Sequence, residues 1–361
     1  MTKRSARPPG IKEIAKALGV SIGTVDRALH NRADVNPATR EKVLKMAKAL
    51  NYTPNFAARN LKLARRFRIG VFLPRHIAGF FDRVRDGIRQ SAANLSVGAP
   101  LDIEFHGYPR IGDGDIACLA KARWRRYDGI IFAPGDPTTL MKFIQEDGPA
   151  PPMVLVASDA PRSGRLACMA VDAGISGNIA ADLLGLVIPK PGIVACITGD
   201  LRIMDHADKL RGFAGALATL TPHLSLLPPI ESHESPKDAY AAAVKLFRDH
   251  PRLDGLYVNT ANSLPVLQAA EEADRLGRLR IVTTDLFPAL AQMIENGKVL
   301  ATLYQRPRTQ GRLAVELLYR QFAGAPPRNV PGRLAPHIVL RSNLPLFLDS
   351  IEKKETQDGP D

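Results

Sequence analysis

The chain has 361 residues, of which 45% are hydrophobic and 24% charged, with a formal net charge of +13 and three cysteines. That length suits one small domain plus one or two larger ones, and the composition is that of an ordinary soluble globular protein. No apolar run approaches the roughly 20 residues a bilayer span needs. The basic start at residues 1–7 leads into no hydrophobic signal core, so the cytoplasm is the expected compartment. Cys118, Cys168 and Cys196 show no metal or redox spacing and read as small buried apolar residues in a reducing environment.

The charge is informative once it is located. Residues 1–68 carry sixteen Lys/Arg against four acids (Glu13, Asp26, Asp34 and Glu41), a charge of +12, which leaves +1 for the other 293 residues. A basic module joined to a neutral body is the electrostatic footprint of a polyanion binder. Within that module Ile11, Ile14, Ala15 and Leu18 share one helical face. Gly19-Val20 breaks the helix, and Ser21 can cap a second one over residues 22–29 that buries Val25, Ala28 and Leu29. Two short helices around so tight a turn predict a helix-turn-helix. Asn36-Pro37 opens a third helix to about Leu50, and Val43, Leu44, Ala47 and Leu50 are expected to close the core. Beyond Pro54, a segment of about eight residues from Phe56 to Leu63 is too short to be a stable helix alone, so it is expected to form only against a partner.

These residues carry a resemblance. The runs IKEIAKALGVSIGTVDRAL, VNPATREKV and NYTPNFAARNL resemble, in order and spacing, the lactose-repressor (LacI/GalR) family of transcriptional regulators. The resemblance implies a recognition helix in the major groove, with Ile22, Gly23 and Arg27 facing base edges and Ser21 and Thr24 nearer phosphates. Arg27 is then the candidate for a bidentate contact to guanine. Asn51, Tyr52, Asn55 and Ala58 would complete the DNA-binding set, and Leu61 matches the family's hinge leucine, which wedges into a minor-groove step. The sequence differs from the family at Asp26, where serine is usual, and at Gly23, which offers no side chain.

From Arg68 the texture changes to alternating strand and helix signals. Apolar runs at 69–73, 102–106, 129–133, 153–157, 193–197, 255–259 and 280–284 read as strands. Helical patterns at 80–95, 119–126, 177–188, 207–218, 237–249 and 264–276 fill most intervals. Repeated strand–helix–strand units give parallel sheets covered on both faces, and about 280 residues of them predict two doubly wound α/β subdomains. The expected organisation is a basic tail (1–10), a helix-turn-helix domain (11–54), a hinge (55–67), a two-subdomain effector and dimerisation domain (68–349) and a disordered tail (350–361). The resemblance continues here toward the periplasmic sugar-binding-protein (type I) fold, through segments such as YDGIIFAP, DAGISGNIAA and ATLYQRPRTQG.

In such folds a ligand sits at the carboxyl ends of the strands, between the subdomains. The residues just past those ends are Phe80, Phe81, Asp159, Asn259 and Asp285, with Gln305 after a short strand at 301–304. Carboxylates and amides suit vicinal hydroxyls and aromatic faces cover a sugar ring, so the expected ligand is a sugar or polyol. The resemblance favours Phe81, Asn259, Asp285 and Gln305 and adds Arg165 and Lys209. Asp128 and Asp254, each before glycine, read better as turn formers, Asp172 as a helix cap, and Phe80 could equally be core. No nucleophile elbow, phosphate loop or metal spacing is present, so neither an enzyme nor a cofactor is expected. The expected protein is a ligand-controlled repressor that binds a pseudo-palindromic operator as a homodimer. The alternatives are a transporter's solute-binding protein, which has no use for the basic module, and an architectural nucleic-acid binder, which needs no sugar cleft.

Overall fold

The computed structural model describes residues 10–29, 34–50, 66–96, 100–146, 150–324 and 332–352. The chain divides into two compact units, Met1–Arg65 and Arg66–Asp361. In the first, α1 (Ile11–Leu18), α2 (Ile22–Leu29) and α3 (Pro37–Ala49) form the described part. Gly19 ends α1 in the left-handed region (φ 64°), which lets the Val20 N–H return to the Ala15 carbonyl at 3.1 Å. Ser21 Oγ accepts the Thr24 N–H at 3.0 Å and caps α2. Asn36 Oδ1 does the same for Ala38 at 2.9 Å ahead of α3. Ile14, Ala15, Val25, Ala28, Val43 and Ala47 make the small core. Leu44, expected in that core, is instead 48% exposed, because it sits one residue (about 100°) round from the inward face that Val43, Met46, Ala47 and Leu50 share. The candidate positions Asn51, Tyr52, Asn55, Ala58 and Leu61, and the expected hinge helix, lie outside the described residues.

The second unit holds two α/β subdomains, as the strand–helix alternation predicts. In the first, β1 (Phe67–Pro74), β2 (Leu101–Tyr108), β3 (Gly129–Phe132), β4 (Met153–Val156) and β5 (Ala167–Met169) form a parallel sheet in the order β2-β1-β3-β4-β5. Around it lie α4 (Ala78–Leu95), α5 (Asp115–Lys121) and α6 (Pro137–Glu146). The second subdomain contains β6 (Gly192–Thr198), β7 (Leu224–Leu226), β8 (Ile230–Glu231), β9 (Gly255–Asn259), β10 (Arg280–Thr284), β11 (Ala301–Tyr304) and β12 (His337–Val339). Their order is β12-β11-β10-β9-β6-β7, with β8 also beside β6, and only β12 runs antiparallel. The helices α7 (Ala173–Val187), α8 (Met204–Leu220), α9 (Pro236–Asp249), α10 (Ser263–Glu272) and α11 (Pro288–Glu295) follow in sequence, then α12 (Pro307–Phe322) and α13 (Pro345–Glu352).

The chain passes between the subdomains three times. It leaves the first after β5 and returns after β11, because Ala314, Val315, Leu317 and Leu318 of α12 pack into the core of the first sheet. It crosses again at Leu334, whose carbonyl accepts the Asp172 N–H at 2.9 Å. Glycine sets two close helix contacts. A Cβ at Gly87 of α4 would lie 2.1 Å from the Arg308 carbonyl oxygen of α12, and one at Gly177 of α7 would lie 2.0 Å from that of Lys209 in α8. The second contact seats the α8 backbone where it carries Lys209 into the interior.

Three boundaries differ from expectation. The helix predicted at 119–126 ends at Lys121, because Arg123 takes a left-handed backbone (φ 50°) and a short 3-10 turn (Trp124–Arg126) follows. The one predicted at 264–276 stops at Glu272, where Asp274 (φ 51°) and Gly277 (φ 86°) turn the chain toward β10. At the other end, Ser350 and Glu352 belong to α13 rather than to a disordered tail; residues 353–361 lie outside the described ones.

Candidate functional site

On α2 the exposed face consists of Ser21, Ile22, Gly23 and Arg27, with Thr24 and Asp26 half-buried over the core residues Val25 and Ala28. Ile22 is 50% exposed, which for a large aliphatic side chain on a small domain marks a surface kept open for contact. A Cβ at Gly23 would come within 3.7 Å of Arg27 Nη1, so the missing side chain leaves the track along which the guanidinium lies. Ser21 and Thr24 hydroxyls meet at 2.8 Å while Ser21 caps the helix. The amino end of α2, with its unpaired N–H groups, adds a site favourable to anions.

In the second unit the chemistry gathers at the carboxyl ends of the strands, and the backbone marks the place. Six non-glycine residues take positive φ there: Ile77 (55°), Ala157 (65°), His233 (47°), Glu234 (56°), Asp285 (71°) and Arg306 (57°). Left-handed residues other than glycine cost of the order of 1–3 kcal/mol each and persist where surrounding structure imposes them, typically at ligand clamps and switch regions. Here they turn the chain sharply after β1, β4, β8, β10 and β11, so that side chains from separate strands meet at the subdomain seam.

The centre of that seam is a buried chain of hydrogen bonds. Lys209 is 1% exposed, and its Nζ donates to Asp205 Oδ2 at 2.6 Å and to Gln305 Oε1 at 3.0 Å. Gln305 Nε2 in turn donates to Asp285 Oδ1 at 2.8 Å. Phe80 and Phe81, in edge contact with ring centroids 4.9 Å apart, close the first-subdomain side. Phe80, Phe81, Lys209, Asp285 and Gln305 thus line one cavity of about 40 Å³, together with Ser158, Asp205, His206 and Glu234. Gln310 of α12 ties the subdomains behind it, its Nε2 donating to the Gln305 carbonyl at 2.8 Å and its Oε1 accepting the Ala157 N–H at 2.9 Å.

Three other candidates sit differently. Asp159 lines a neighbouring cavity of about 490 Å³, where its carboxylate is clasped by Arg165 and Arg333. Arg165 braces Asp159 from behind and lines neither cavity. Asn259 is fully buried beneath the lining; its Nδ2 donates to Thr198 Oγ1 at 2.9 Å and to the His206 carbonyl at 3.0 Å, so it holds the first turn of α8 in place. Sequence reasoning missed Asp205, His206, Glu234, Gln310 and Arg333. Asp205 had a readable signal, since it stands four residues before Lys209 on one helix face. Glu234 had none: it reaches His206 Nε2 at 3.3 Å and His76 Nε2, from the other subdomain, at 3.6 Å through a backbone turn no local pattern announces.

Electrostatics differ among these acids. Burial pushes the Asp285 carboxyl up to about 6, although Lys209 and Gln305 pull the other way. Burial would likewise raise Glu234, but His206, His76 and Thr260 together hold it below the usual carboxylate value. Asp159 is also held low against its burial, by Arg165 and Arg333. Because the folded value of Asp285 lies above its unfolded one, the folded protein keeps a proton that the unfolded chain loses between about pH 4 and 6. Its contribution to stability is therefore greatest below that window and declines as pH rises through it. The variant Asp285→Asn, which cannot ionise, should gain on the wild type as pH rises from about 4 to 7. Urea midpoints across that range test this, and a constant difference between the two proteins would refute it.

A three-helix module with an open second helix, ahead of two α/β subdomains with a polar seam at their strand ends, defines a DNA-binding protein with a ligand-binding body. Residues 10–55 match the bacterial regulatory proteins of the lacI family, and residues 69–326 match the periplasmic binding protein domain. The chain belongs to the lacI family of bacterial regulatory proteins, with a periplasmic binding protein domain as its body. It is 24% identical to catabolite control protein A of Priestia megaterium, over 73% of this chain and 77% of that one. It is 26% identical to the ribose operon repressor of Bacillus subtilis (strain 168), over 85% of this chain and 90% of the other. The body shares its fold with an ABC transporter solute-binding protein from Agrobacterium vitis bound with α-D-tagatopyranose, with TM-score 0.71 and 20% identity, covering 80% of this chain and 100% of that one. The protein is accordingly a DNA-binding transcriptional regulator, and the named full-length relatives are regulators rather than enzymes. Among the described residues no helix is long and apolar enough to cross a membrane.

Proposed function

We propose that this regulator is a repressor that binds a pseudo-palindromic operator as a homodimer, through Ser21, Ile22, Gly23, Thr24 and Arg27 of α2. Its operator affinity is set by an uncharged sugar or polyol held between the two subdomains. The working division is a DNA-binding domain at 11–54, a hinge at 55–67 that includes Asn55, Ala58 and Leu61, and an effector and dimerisation domain from 68. Asn51 and Tyr52 stand just before the hinge as backbone-positioning residues. The protein acts in the cytoplasm and performs no catalysis.

The observation that carries the reading is the Lys209–Asp205–Gln305–Asp285 chain. It alternates donors and acceptors as vicinal hydroxyls require, and two phenyl rings stand beside it to cover a sugar face. Three carboxylates (Asp205, Glu234 and Asp285) share the lining with a single lysine, which disfavours phosphorylated and acidic sugars. The names of the ribose operon repressor and of the tagatose-bound solute-binding protein support a sugar as ligand.

The test is a thermal-shift screen of neutral sugars, polyols and the matching sugar phosphates against the full-length protein, followed by operator titrations with and without each hit. A neutral hit should raise the melting temperature by mass action and change operator affinity in one direction by about fivefold or more. By linkage, operator must change the affinity for that hit by the same factor. A panel without hits, or a hit that leaves operator affinity unchanged, would overturn the reading.

A further inference from the structure

The 40 Å³ cavity around Lys209 has room for little more than a water molecule, whereas small-molecule sites usually measure about 300–1,000 Å³. Its ligand therefore extends beyond that neck or opens it, and the neck continues on both sides. Toward Ala157, Ser158 and Asp205 it joins the polar cavity of about 490 Å³ that contains Asp159, Asp208 and Arg211. Toward Ile77, Phe80, Ala261 and Asp285 it joins a second cavity of about 460 Å³ with a different character. Leu264, Pro265, Leu286, Phe287 and Pro307 make up most of its remaining lining, and Asp285 stands where it meets the neck.

We infer that the effector is an amphiphilic glycoside, with its sugar held at the Lys209–Asp205–Gln305–Asp285 chain and an aryl or branched-alkyl aglycone seated in this apolar annex. The inference rests on the sugar reading of the cleft and adds a requirement to it. The annex opens directly onto the polar neck, so a substituent on a bound sugar enters it without crossing protein. Its lining offers an aglycone carbon to pack on, and burying apolar surface there adds affinity that a hydroxyl or a methyl group cannot. A free sugar leaves the annex to water held against proline, leucine and phenylalanine side chains, which is the less favourable state.

Gly79 provides the control. It lies in the first turn of α4 on the annex wall, and a Cβ there meets only the Cβ of Phe287, at 3.8 Å. Gly79→Leu therefore places an isobutyl group where the aglycone would sit. Hexoses and pentoses are titrated into the full-length protein as free sugars, methyl glycosides and p-nitrophenyl glycosides, with wild type and Gly79→Leu compared. For the sugar that fits, the p-nitrophenyl glycoside should bind at least tenfold tighter than the methyl glycoside, and that ratio should fall to about one in Gly79→Leu. Binding of the sugar with no aryl gain overturns the inference alone, as does a gain that survives Gly79→Leu. Absence of binding by every sugar in every form overturns the cleft reading and the inference together. A change of oligomeric state in Gly79→Leu with the aryl gain intact assigns the annex to a second copy of the chain and also overturns the inference.

Discussion

Replacing Lys209 with methionine should lower the stability of the ligand-binding body by about 3–5 kcal/mol and abolish its response to effector. Methionine has nearly the same length and fits the same tunnel, so little of the loss comes from packing. The loss arises because Lys209 is the ammonium facing Asp205 and Asp285 at the centre of the seam, bonded at 2.6 Å to the first and linked to the second through Gln305. Without it, both carboxylates remain in a low-dielectric interior with no ammonium, and Gln305 loses a donor to its Oε1. A fall in melting temperature of the order of 10 °C is expected at neutral pH. Lysine is the first of the groups that hold Asp285 down against its burial, so the variant's Asp285 should take up a proton more readily. The deficit should accordingly shrink toward pH 5. Lys209→Arg keeps the charge and should lose less stability than Lys209→Met. A methionine variant as stable as the wild type at pH 7, or one whose deficit ignores pH, would show that the lysine does not balance these acids.

On the DNA side, Arg27→Ala should weaken binding to the cognate operator by about ten- to a hundredfold while leaving binding to unrelated duplex nearly unchanged. Arg27 is exposed, belongs to no part of the small core, and lies along the track that Gly23 leaves open. Its removal should therefore not unfold the module. The salt dependence discriminates between roles. A residue that reads a base edge leaves the slope of log K against log salt almost as it was, while loss of a phosphate contact lowers it by about one. A parallel fall on cognate and unrelated DNA, with a shallower slope, would reassign Arg27 to the backbone. Wild-type cognate affinity would remove it from the interface.

Much of this protein is legible in one dimension because the controlling physics is local. A helix face recurs every three or four residues, so Ile11, Ile14, Ala15 and Leu18 declare α1 without reference to anything distant. Gly19 is needed where the chain must turn left-handed, and Ser21 and Asn36 cap the helices that follow them. Buried parallel strands appear as apolar runs, which located β1, β3, β4, β6, β9 and β10 within one or two residues. The concentration of charge in residues 1–68 is a property of the sequence and requires no fold at all.

The ligand site is legible only in part, because its partners are far apart along the chain. The rule that ligands lie past the carboxyl ends of strands was enough to select Phe80, Phe81, Asp285 and Gln305, each immediately after or near such an end. It could not tell which side chains at those ends turn into the seam. Asn259 satisfies the same rule yet spends its amide on Thr198 and the His206 carbonyl beneath the lining. Nor could it supply Arg333, which reaches Asp159 from 174 positions away, or Glu234, which meets a histidine from each subdomain. The sequence by itself determined the class of fold, the two-part organisation and the residue types available at the strand ends. Only the tertiary structure decided which of those residues share a cavity, because that depends on where separate strands bring their ends and on how closely α7 and α8 approach at Gly177. Such pairings are set by packing across the whole body, and local spacing carries no record of them.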